Sequence, residues 1–397
     1  MRVLIVAFSG SIHAARWVDQ IADQGWDLHL FPSLDHGDVH PAFRSVTVHH
    51  SAYAPSLSEG RDLKLRGFSV GNPRLAGFTR SFIRRVFPDY RADQLRRVIR
   101  RIKPDIVHAM EFQSAGYLTL QAKRTFAGQF PPWIVTNWGS DLLLFGRLAD
   151  HKERVREVLR ACDYYSCECE RDVTLARSMG YTGVVLPLVP AGGGFDLDRL
   201  YSLRCAASPS TRKVIMLKGY QGWAGRGLVG LRALERCSDL LSGYRLMIYS
   251  AGEDIRIAAE LFQQDTGVET TVLPERVPHE QMLAFHAQAR LSIGLSISDA
   301  ISISLLETMA MGSFPIQSHT SCADEWIVDG ESGLLVPPND PDVVEVAIRK
   351  ALADDGLVDR ASEANWKTLR SRLDRSQLKA DVVRMYNDVA KRTFATG

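Results

Sequence analysis

Residues Ser296–Gln317 of this 397-residue chain read SISDAISISLLETMAMGSFPIQ. Up to Ile297, apolar residues alternate with small Ser and Gly residues, which predicts the end of a strand buried on both faces. A helix should follow, because four apolar residues recur at helical spacing: Leu305, Leu306, Met309 and Ala310. Gly312 predicts the end of that helix, and Pro315 the start of a second buried strand. The stretch therefore predicts a strand, a short polar loop, a helix and another strand.

Two carboxylates, Asp299 and Glu307, flank the turn between the first strand and the helix. Backbone amides at a helix N-terminus point outward and favour an anion, while carboxylates accept hydrogen bonds from hydroxyl groups. A phosphate beside hydroxyl groups is the chemistry of a nucleotide sugar. A surface corner with two solvated acids is the alternative that this local pattern leaves open.

The composition indicates a soluble globular protein. Hydrophobic residues make up 45% of the chain and charged residues 24%, and the net charge of +2 argues neither for nor against a polyanionic partner. No segment approaches the ~20 apolar residues of a membrane span, and the first residues predict a β-strand rather than a signal peptide. We therefore expect a cytoplasmic protein, in which the six cysteines are buried free thiols and no metal site forms.

The order of the predicted elements indicates two domains, which the chain length also favours. A strand, a loop containing Gly10, a helix and a second strand open the chain, as in a doubly wound parallel sheet. The same order restarts at Lys213, after a Gly-rich stretch. The predicted parts are a first domain at 1–190, a linker at 191–212, a second domain at 213–375 and a C-terminal helical segment at 376–397.

Polar residues follow several predicted strands of the first domain, where open α/β sheets bind their ligands. His108 and Asp141 are candidates for catalytic side chains on such loops, and Ser11, His13 and Glu111 are candidates for contacts with an acceptor. No Ser-His-Asp pattern and no Gly-x-Ser-x-Gly turn accompanies them, so no nucleophile is predicted.

Cationic residues crowd the segment Arg80–Lys103, which follows a stretch at 56–77 that is predicted to be a long loop. Pro88 divides the segment into two helical pieces. An apolar stripe runs along the second piece at helical spacing: Leu95, Val98, Ile99 and Ile102. Such a segment can bind anionic lipid head groups, but an ordinary surface helix with a solvated cationic face fits equally. Nucleic acid is not expected, because no motif of a known nucleic-acid reader accompanies the arginines.

The loop Lys218–Gly227 directly follows a predicted strand of the second domain and contains four glycines and two cations, Lys218 and Arg226. Glycines let the backbone approach a phosphate, and cations neutralise a diphosphate without a metal ion. Together with the amides near Ser302 and Leu305, this loop is predicted to hold a nucleoside diphosphate. A flexible loop with solvated cations is the alternative. No cofactor or metal ion is expected.

The segment 298–312 resembles the Glu-x7-Glu signature of retaining family 4 glycosyltransferases of GT-B architecture, with Asp299 and Glu307 as the two acids. The resemblance spans nearly the whole chain and includes further segments: the loop at Gly10, Asp105–His108, Gly139–Asp141 and Asp329–Pro337. It implies an α/β fold of two doubly wound Rossmann-like domains that face each other across a cleft. It also implies that the C-terminal helix returns to the N-terminal domain.

The resemblance implies roles for residues of the second domain. Glu307 would hold the ribose of the donor, Asp299 would contact the transferred sugar, and Lys218 and Arg226 would bind the diphosphate. The rest of the donor site would include these residues: Ala300, Ile301, Ser302, Leu305, Arg276, Val277 and Gly10. Three features depart from the family pattern. Asp299 is one methylene shorter than the usual glutamate, residues 300–302 replace the usual Gly-Phe-Gly, and the basic loop at 218–227 is longer than the common Gly-Arg-x5-Lys-Gly pattern.

These implications predict a metal-independent, retaining glycosyltransferase. It would move a sugar from a nucleoside-diphosphate donor to a glycan or lipid-linked acceptor in the synthesis of a cell-surface polysaccharide. The expected location is the cytoplasm, with peripheral attachment to the membrane through residues 80–103. A nucleotide-sugar 2-epimerase of similar architecture and a non-catalytic nucleotide-sugar-binding protein are the alternatives.

Overall fold

The structure, a computed structural model, describes residues 1–87 and 89–395. Pro88, which is predicted to divide the basic segment, lies outside the described residues. The chain folds into two compact units. Unit 1 contains residues 1–193 and the C-terminal segment from Ser376, and unit 2 contains residues 194–375. Each unit is a parallel sheet with helices between its strands, which confirms the prediction of two doubly wound α/β domains.

The strands of unit 1 are β1 (Arg2–Ala7), β2 (Asp27–Pro32), β3 (Val46–Tyr53), β4 (Leu63–Ser69), β5 (Ile106–Met110), β6 (Trp133–Thr136), β7 (Tyr164–Ser166) and β8 (Val184–Val185). They form one sheet in the order β4-β3-β2-β1-β5-β6-β7-β8. The helices are α1 (Ile12–Asp19), α2 (Pro73–Val86), α3 (Tyr90–Ile102), α4 (Tyr117–Arg124), α5 (Ser140–Leu143), α6 (Ala149–Ala161) and α7 (Glu170–Ser178). A π-helix (Phe112–Gly116) follows β5.

The C-terminal helix, Arg375–Ala395, packs against unit 1. The indole Nε1 of Trp17 in α1 donates to the hydroxyl of Tyr386 at 2.9 Å, and both side chains are fully buried. Lys379 forms an ion pair with Asp23. The helix thus covers the first βα unit, as the resemblance implies.

β4 and the start of α2 lie in the stretch that the sequence predicts to be a loop, and this prediction is wrong. β4 is the edge strand of its sheet and pairs in parallel with β3. None of its residues is buried, Lys64 and Arg66 are exposed, and Phe68 is 68% exposed. Leu63 and Leu65 alternate with Lys64 and Arg66, but this alternation is too short, and too little buried, to distinguish an edge strand from a polar loop.

The strands of unit 2 are β9 (Val214–Lys218), β10 (Arg245–Tyr249), β11 (Glu269–Val272), β12 (Ala289–Gly294), β13 (Phe314–Ser318) and β14 (Leu334–Val336), in the order β11-β10-β9-β12-β13-β14. The helices are α8 (Leu197–Leu203), α9 (Gly227–Arg236), α10 (Glu253–Thr266), α11 (His279–Gln288), α12 (Ile303–Met311), α13 (Pro341–Ala353) and α14 (Asp355–Arg372). α8 lies within the stretch that the sequence predicts to be a linker.

The stretch Ser296–Gln317 has the predicted structure. β12 is buried along its whole length, α12 follows, and Gly312 ends α12 with a φ of 77°, a left-handed conformation that favours glycine. The strand order of unit 2 reverses between β9 and β12, and the carboxyl ends of strands at such a point are where doubly wound sheets bind ligands. None of the described helices has the length and apolar composition that crossing a membrane requires.

Candidate functional site

The N-terminus of α12 lies beyond the carboxyl end of β12, where the strand order of unit 2 reverses. Ser302 is the N-cap residue, but its side chain does not cap the helix. Its hydroxyl lies 2.9 Å from that of Ser304 instead, and the first turn contains no acidic residue. The first-turn amides therefore have no side-chain cap and present the positive end of the helix to an anion.

Lys218 adds a cation to this helix end. It is the last residue of β9, and its Nζ lies 3.5 Å from the hydroxyl of Ser302. The structure thus brings together the predicted lysine and the predicted amides. The two strands that carry them are adjacent in the sheet, β9 and β12, although 84 positions separate the two residues.

The glycine-rich loop after Lys218 is fixed to the end of β12 and is not the flexible loop of the alternative interpretation. The Arg226 amide donates to the carbonyl of Leu295 at 3.0 Å, and the Ile297 amide donates to the carbonyl of Ala224 at 2.9 Å. A side chain at Gly225 would collide with the backbone of the same loop. This glycine therefore serves close backbone packing.

Arg226, the second cation of the predicted pair, stabilises its own loop. Its Nε donates to the side chain of Asn339 at 2.6 Å, and its Nη1 donates to the carbonyl groups of Gly225 at 2.7 Å and Gly222 at 3.2 Å. Its contact with a diphosphate stays a prediction.

Glu307 lies in the second turn of α12 and is 7% exposed. Its Oε1 is 2.8 Å from Nε2 of His279, the first residue of α11, whose side chain is 45% exposed. A carboxylate offers about four lone-pair sites, so the contact with one oxygen leaves acceptor capacity for a pair of hydroxyl groups. The sequence identifies His279 only as a polar residue where a helix begins, and its contact with Glu307 was not predicted.

Asp299 lies in the loop between β12 and α12 and is half-buried. Its Oδ1 accepts from the amide of Ala300 at 3.0 Å. Burial and, to a lesser extent, the negative charge of Asp299 raise the pKa of Tyr220, so the two side chains interact electrostatically. Tyr220 is a second residue that sequence reasoning missed, although it lies within the Lys218–Gly227 loop.

Other predicted donor-site residues surround this centre. The side chains of Ala300, Ile301 and Leu305 are buried, so their contribution to a ligand site would come from the backbone. Arg276 is exposed and Val277 is partly buried in the segment that leads to His279.

A buried histidine, His286, contacts both α12 and the neighbouring strand β12. Burial lowers the pKa of His286 to about 4, so its ring is neutral at neutral pH. Its Nδ1 lies 3.1 Å from the hydroxyl of Ser292 in β12 and 3.4 Å from that of Thr308 in α12. The histidine thus connects strand and helix next to Glu307.

In unit 1, the loop after β1 carries Gly10, which is exposed, and Ser11. Ser11 is the N-cap of α1, and its hydroxyl accepts from the amides of His13 at 3.2 Å and Ala14 at 3.3 Å. The structure places His13 in the first turn of α1 and not on the loop, which corrects its predicted position. Donor contacts through Gly10 and acceptor contacts through Ser11 and His13 stay predictions.

Three half-buried aromatic rings meet at the carboxyl ends of β1 and β6. The ring of Trp138, just after β6, lies edge-to-face with His13 at a centroid distance of 5.9 Å and 6.5 Å from Phe8. Sequence analysis identified neither Trp138 nor Phe8 as a site residue. The available signal was an aromatic residue at the end of a strand, since Phe8 follows β1 directly and Trp138 lies two positions after β6.

His108 lies inside β5 and not on a loop, and its side chain is completely buried. Its Nδ1 is 2.6 Å from the hydroxyl of Tyr386, and its Nε2 is 2.6 Å from that of Thr136. Burial lowers its pKa to about 3, so the ring stays neutral. Both ring nitrogens are used inside unit 1, and the predicted position of His108 on a loop is wrong, while its catalytic role stays a prediction.

Glu111 and Asp141 are also turned inward. Glu111 is 3% exposed, and its carboxylate accepts from the amides of Ser114 and Ala115 at the start of the π-helix. Asp141, in the first turn of α5, is 4% exposed and accepts from the amide of Trp138 at 2.8 Å. Burial and the nearby Glu111 carboxylate raise the pKa of Asp141 well above its usual value. Asp141 thus positions the Trp138 loop. The contact of Glu111 with an acceptor and the catalytic role of Asp141 stay predictions.

The two helices of the basic segment differ in what they expose. In α3 the predicted apolar stripe faces the interior of unit 1, where these residues are buried: Leu95, Val98, Ile99 and Ile102. In α2 an apolar stripe at spacing i, i+3, i+7 and i+11 is exposed: Leu75, Phe78, Phe82 and Val86 are 55%, 69%, 56% and 48% exposed. The apolar surface that is open to a membrane thus belongs to α2, which begins at Pro73, before the predicted segment.

Residues 234–368 match the family model of glycosyl transferases group 1, and residues 78–164 match that of glycosyl transferase 4-like proteins. A search of curated proteins finds no match. Among solved structures, sucrose-phosphate synthase from Thermosynechococcus elongatus is similar with a TM-score of 0.70 and 14% identity over 100% of both chains. HepE of Anabaena in complex with UDP-glucose gives a TM-score of 0.67 and 14% identity over 98% of this chain and 100% of that chain.

The α,α-trehalose 6-phosphate synthase of Burkholderia multivorans gives a TM-score of 0.70 and 14% identity over 100% of this chain and 98% of that chain. These structural similarities show the fold. The two family matches support a glycosyltransferase.

Proposed function

We propose that this protein is a retaining glycosyltransferase that moves a sugar from a nucleoside-diphosphate donor to a glycan or lipid-linked acceptor in polysaccharide synthesis at the cytoplasmic face of a membrane. One observation carries the proposal. The uncapped N-terminus of α12 lies beside Lys218 and one turn from Glu307, at the point where the strand order of unit 2 reverses.

In this proposal the diphosphate of the donor binds the first-turn amides of α12 and the ammonium group of Lys218. Negative charge develops on the diphosphate as it leaves, and preorganised amides and a cation stabilise that charge in the transition state. No metal ion is then required. Glu307 accepts hydrogen bonds from the ribose, and Asp299 contacts a hydroxyl group of the transferred sugar.

For the acceptor, we assign the aromatic group of Phe8, His13 and Trp138 in unit 1. Aromatic faces bind the apolar C–H faces of sugar rings, while polar groups nearby fix orientation. The hydroxyl of Ser11 lies in the same turn as His13 and is a further candidate contact. Asp141 helps to fix the position of this aromatic group, because its carboxylate accepts a hydrogen bond from the amide of Trp138.

The membrane contact in this proposal is α2 and not α3. An interfacial helix combines an exposed apolar face with cationic residues that meet anionic head groups. α2 has both, since its exposed apolar stripe is accompanied by Arg74, Arg84 and Arg85. The apolar face of α3 is already used in the core of unit 1.

A thermal-shift screen of nucleoside diphosphates and their sugars tests the donor half of the proposal. A ligand at about 100 times its dissociation constant stabilises the protein by ~2.7 kcal/mol, enough to rank donors. The donor that stabilises most is then incubated alone and with glycan and lipid-linked acceptors. A new glycosidic linkage only when acceptor is present supports transfer, and its anomeric configuration tests retention. Conversion of the donor sugar without acceptor would indicate an epimerase, and binding without any reaction a non-catalytic protein.

A further inference from the structure

A cavity of about 280 Å³ lies in unit 1 beneath α2, at the carboxyl ends of β2 and β3. Five residues of α2 line it: Gly77, Arg80, Ser81, Ile83 and Arg84. All but Ile83 recur at spacing i, i+3, i+4 and i+7, which places those four on one face of the helix, opposite the exposed stripe of Phe78 and Phe82. α2 thus covers the cavity with a cationic face and presents its apolar face outward.

The negative charge of Asp35, which lines the cavity, is already balanced by neighbouring groups of the protein. The Oδ1 of Asp35 lies 2.7 Å from Nδ1 of His50. Its Oδ2 lies 3.5 Å from Nη1 of Arg91 and accepts from the amide of Ser51 at 2.7 Å. Although burial alone would raise the pKa of Asp35, the hydrogen bond from His50 and the charge of Arg91 lower it. The cations that remain for a ligand are therefore Arg80 and Arg84.

Both arginines have hydrogen-bond donors to offer. Arg80 donates to the carbonyl groups of His36 and Ala52, each at 2.9 Å, which leaves three of its five N–H donors. Gly37, with a φ of 87°, makes room for this guanidinium, because a side chain there would collide with it. Arg84 is exposed and has no hydrogen bond or ion pair with any residue in the described ranges. Paired guanidinium groups with free donors suit a phosphate.

The size and surroundings of the cavity favour a phosphate that belongs to a lipid. Small-molecule sites range from about 300 to 1,000 Å³, so 280 Å³ suits a head group and not a lipid chain. Phe87, which is 58% exposed, lines the cavity directly after α2. A lipid chain against Phe87 would have its head group next to Arg84, which lines the same cavity.

We propose that this cavity binds the phosphate-bearing head group of a membrane lipid, and that this lipid carries the acceptor. The inference rests on the proposed function, because it identifies the acceptor as a lipid phosphate or diphosphate. The bilayer would meet the outer face of α2, and the inner face of the same helix would select the head group.

The test compares two variants with the same net charge, Arg84→Gln and Arg85→Gln. Arg84 lines the cavity, whereas Arg85 does not. Both are exposed on α2, so each variant should fold and lose the same amount of non-specific attraction to an anionic surface. Binding of the full chain is measured on phosphatidylcholine vesicles that contain a polyprenyl phosphate, and on vesicles given the same surface charge by phosphatidylglycerol.

The wild-type protein should prefer the polyprenyl phosphate vesicles. Arg84→Gln should lose this preference, with binding about tenfold weaker, while Arg85→Gln should keep it. Equal behaviour of the two variants, or the absence of any preference in the wild type, would overturn the inference. Tighter binding of soluble glucose 6-phosphate than of the vesicles would also overturn it, because the phosphate would then belong to a free sugar.

A nucleoside-diphosphate thermal shift on the same samples separates this inference from the proposed function. If Arg84→Gln and the wild type bind the nucleotide alike but show no head-group preference, the lipid site is refuted and the transferase proposal stands. If no nucleoside diphosphate binds, the transferase proposal fails on its own account.

Discussion

The carboxylate of Glu307 lies 2.8 Å from the imidazole Nε2 of His279, although 28 positions separate the two residues. The contact joins the second turn of α12 to the first residue of α11. Because Glu307 is only 7% exposed, few orientations are open to its side chain. The carboxylate is therefore oriented before any ligand arrives, which reduces the entropic cost of binding.

Replacing Glu307 with glutamine should weaken nucleotide binding and transfer together. The amide keeps the size of the side chain but loses the charge and one acceptor oxygen, so we expect an affinity loss of about 10- to 100-fold. The thermal shift with the best nucleoside diphosphate and the rate of transfer measure both effects. Glu260→Gln, at an exposed position on α10, is the matched control. Normal turnover in Glu307→Gln would show that the donor site is assigned wrongly.

His279 should act through Glu307. Removal of the imidazole in His279→Ala frees the carboxylate to rotate, and we expect nucleotide affinity to fall by roughly tenfold. His279→Gln can still donate a hydrogen bond and should recover most of the loss. The dissociation constant of the nucleotide is the measurement. If the alanine and glutamine variants bind equally weakly, the contact does not orient Glu307.

The secondary structure around the candidate site of unit 2 was largely predictable from sequence. The stretch that contains Asp299 and Glu307 has the predicted strand, loop and helix. Its apolar residues are buried, as their spacing predicts, and Gly312 ends the helix. The role of Arg226 was not predictable, because its partner Asn339 is 113 positions away and nothing in the local pattern links them. Side-chain direction is decided by such tertiary contacts.

In unit 1, sequence reasoning placed polar residues at strand ends but could not tell which side chains turn inward. His108 pairs with Tyr386, 278 positions away in the C-terminal helix, so the partner that buries it has no local signal. The opposite error concerns Trp138, an aromatic residue near a strand end that sequence analysis did not identify as a site residue. An edge strand such as β4 was missed because it lacks a buried face.

The Trp138 side chain should affect the acceptor and not the donor. In Trp138→Ala the stacking surface is lost, and we expect KM for a sugar acceptor to rise by about tenfold. Trp138→Phe keeps an aromatic face and should retain most of the activity. Initial rates at varied acceptor concentration give KM, while the nucleotide thermal shift should be unchanged in both variants. A change in nucleotide binding with KM unaltered would contradict the assignment.

Asp141→Asn should change how stability depends on pH. Burial and Glu111 raise the pKa of Asp141, so the folded protein binds this proton more tightly than the unfolded chain does. The resulting stability is fully present below about pH 4 and is lost as the pH rises through the raised pKa. Asparagine has no proton to lose, so the stability of the variant relative to wild type should increase as the pH rises from about 4 to about 8.

Urea unfolding of Asp141→Asn and wild type at about pH 4 and about pH 8 measures this difference. The exposed Asp150 on α6 supplies the control, because Asp150→Asn should leave the pH dependence as it is in wild type. An equal pH dependence in Asp141→Asn and wild type would show that the raised pKa does not contribute to stability.

The exposed apolar stripe of α2 should be required for membrane binding. Phe78 and Phe82 lie four positions apart and are 69% and 56% exposed, so their replacement by serine removes apolar area without opening the core. The double variant Phe78→Ser/Phe82→Ser should bind anionic vesicles at least about tenfold more weakly. Ile257 and Leu261 on α10 have the same spacing and are 55% and 54% exposed, which makes Ile257→Ser/Leu261→Ser the control. Because that pair lies in unit 2, vesicle binding should be unchanged by its loss, and an equal loss in both double variants would refute α2 as the membrane contact.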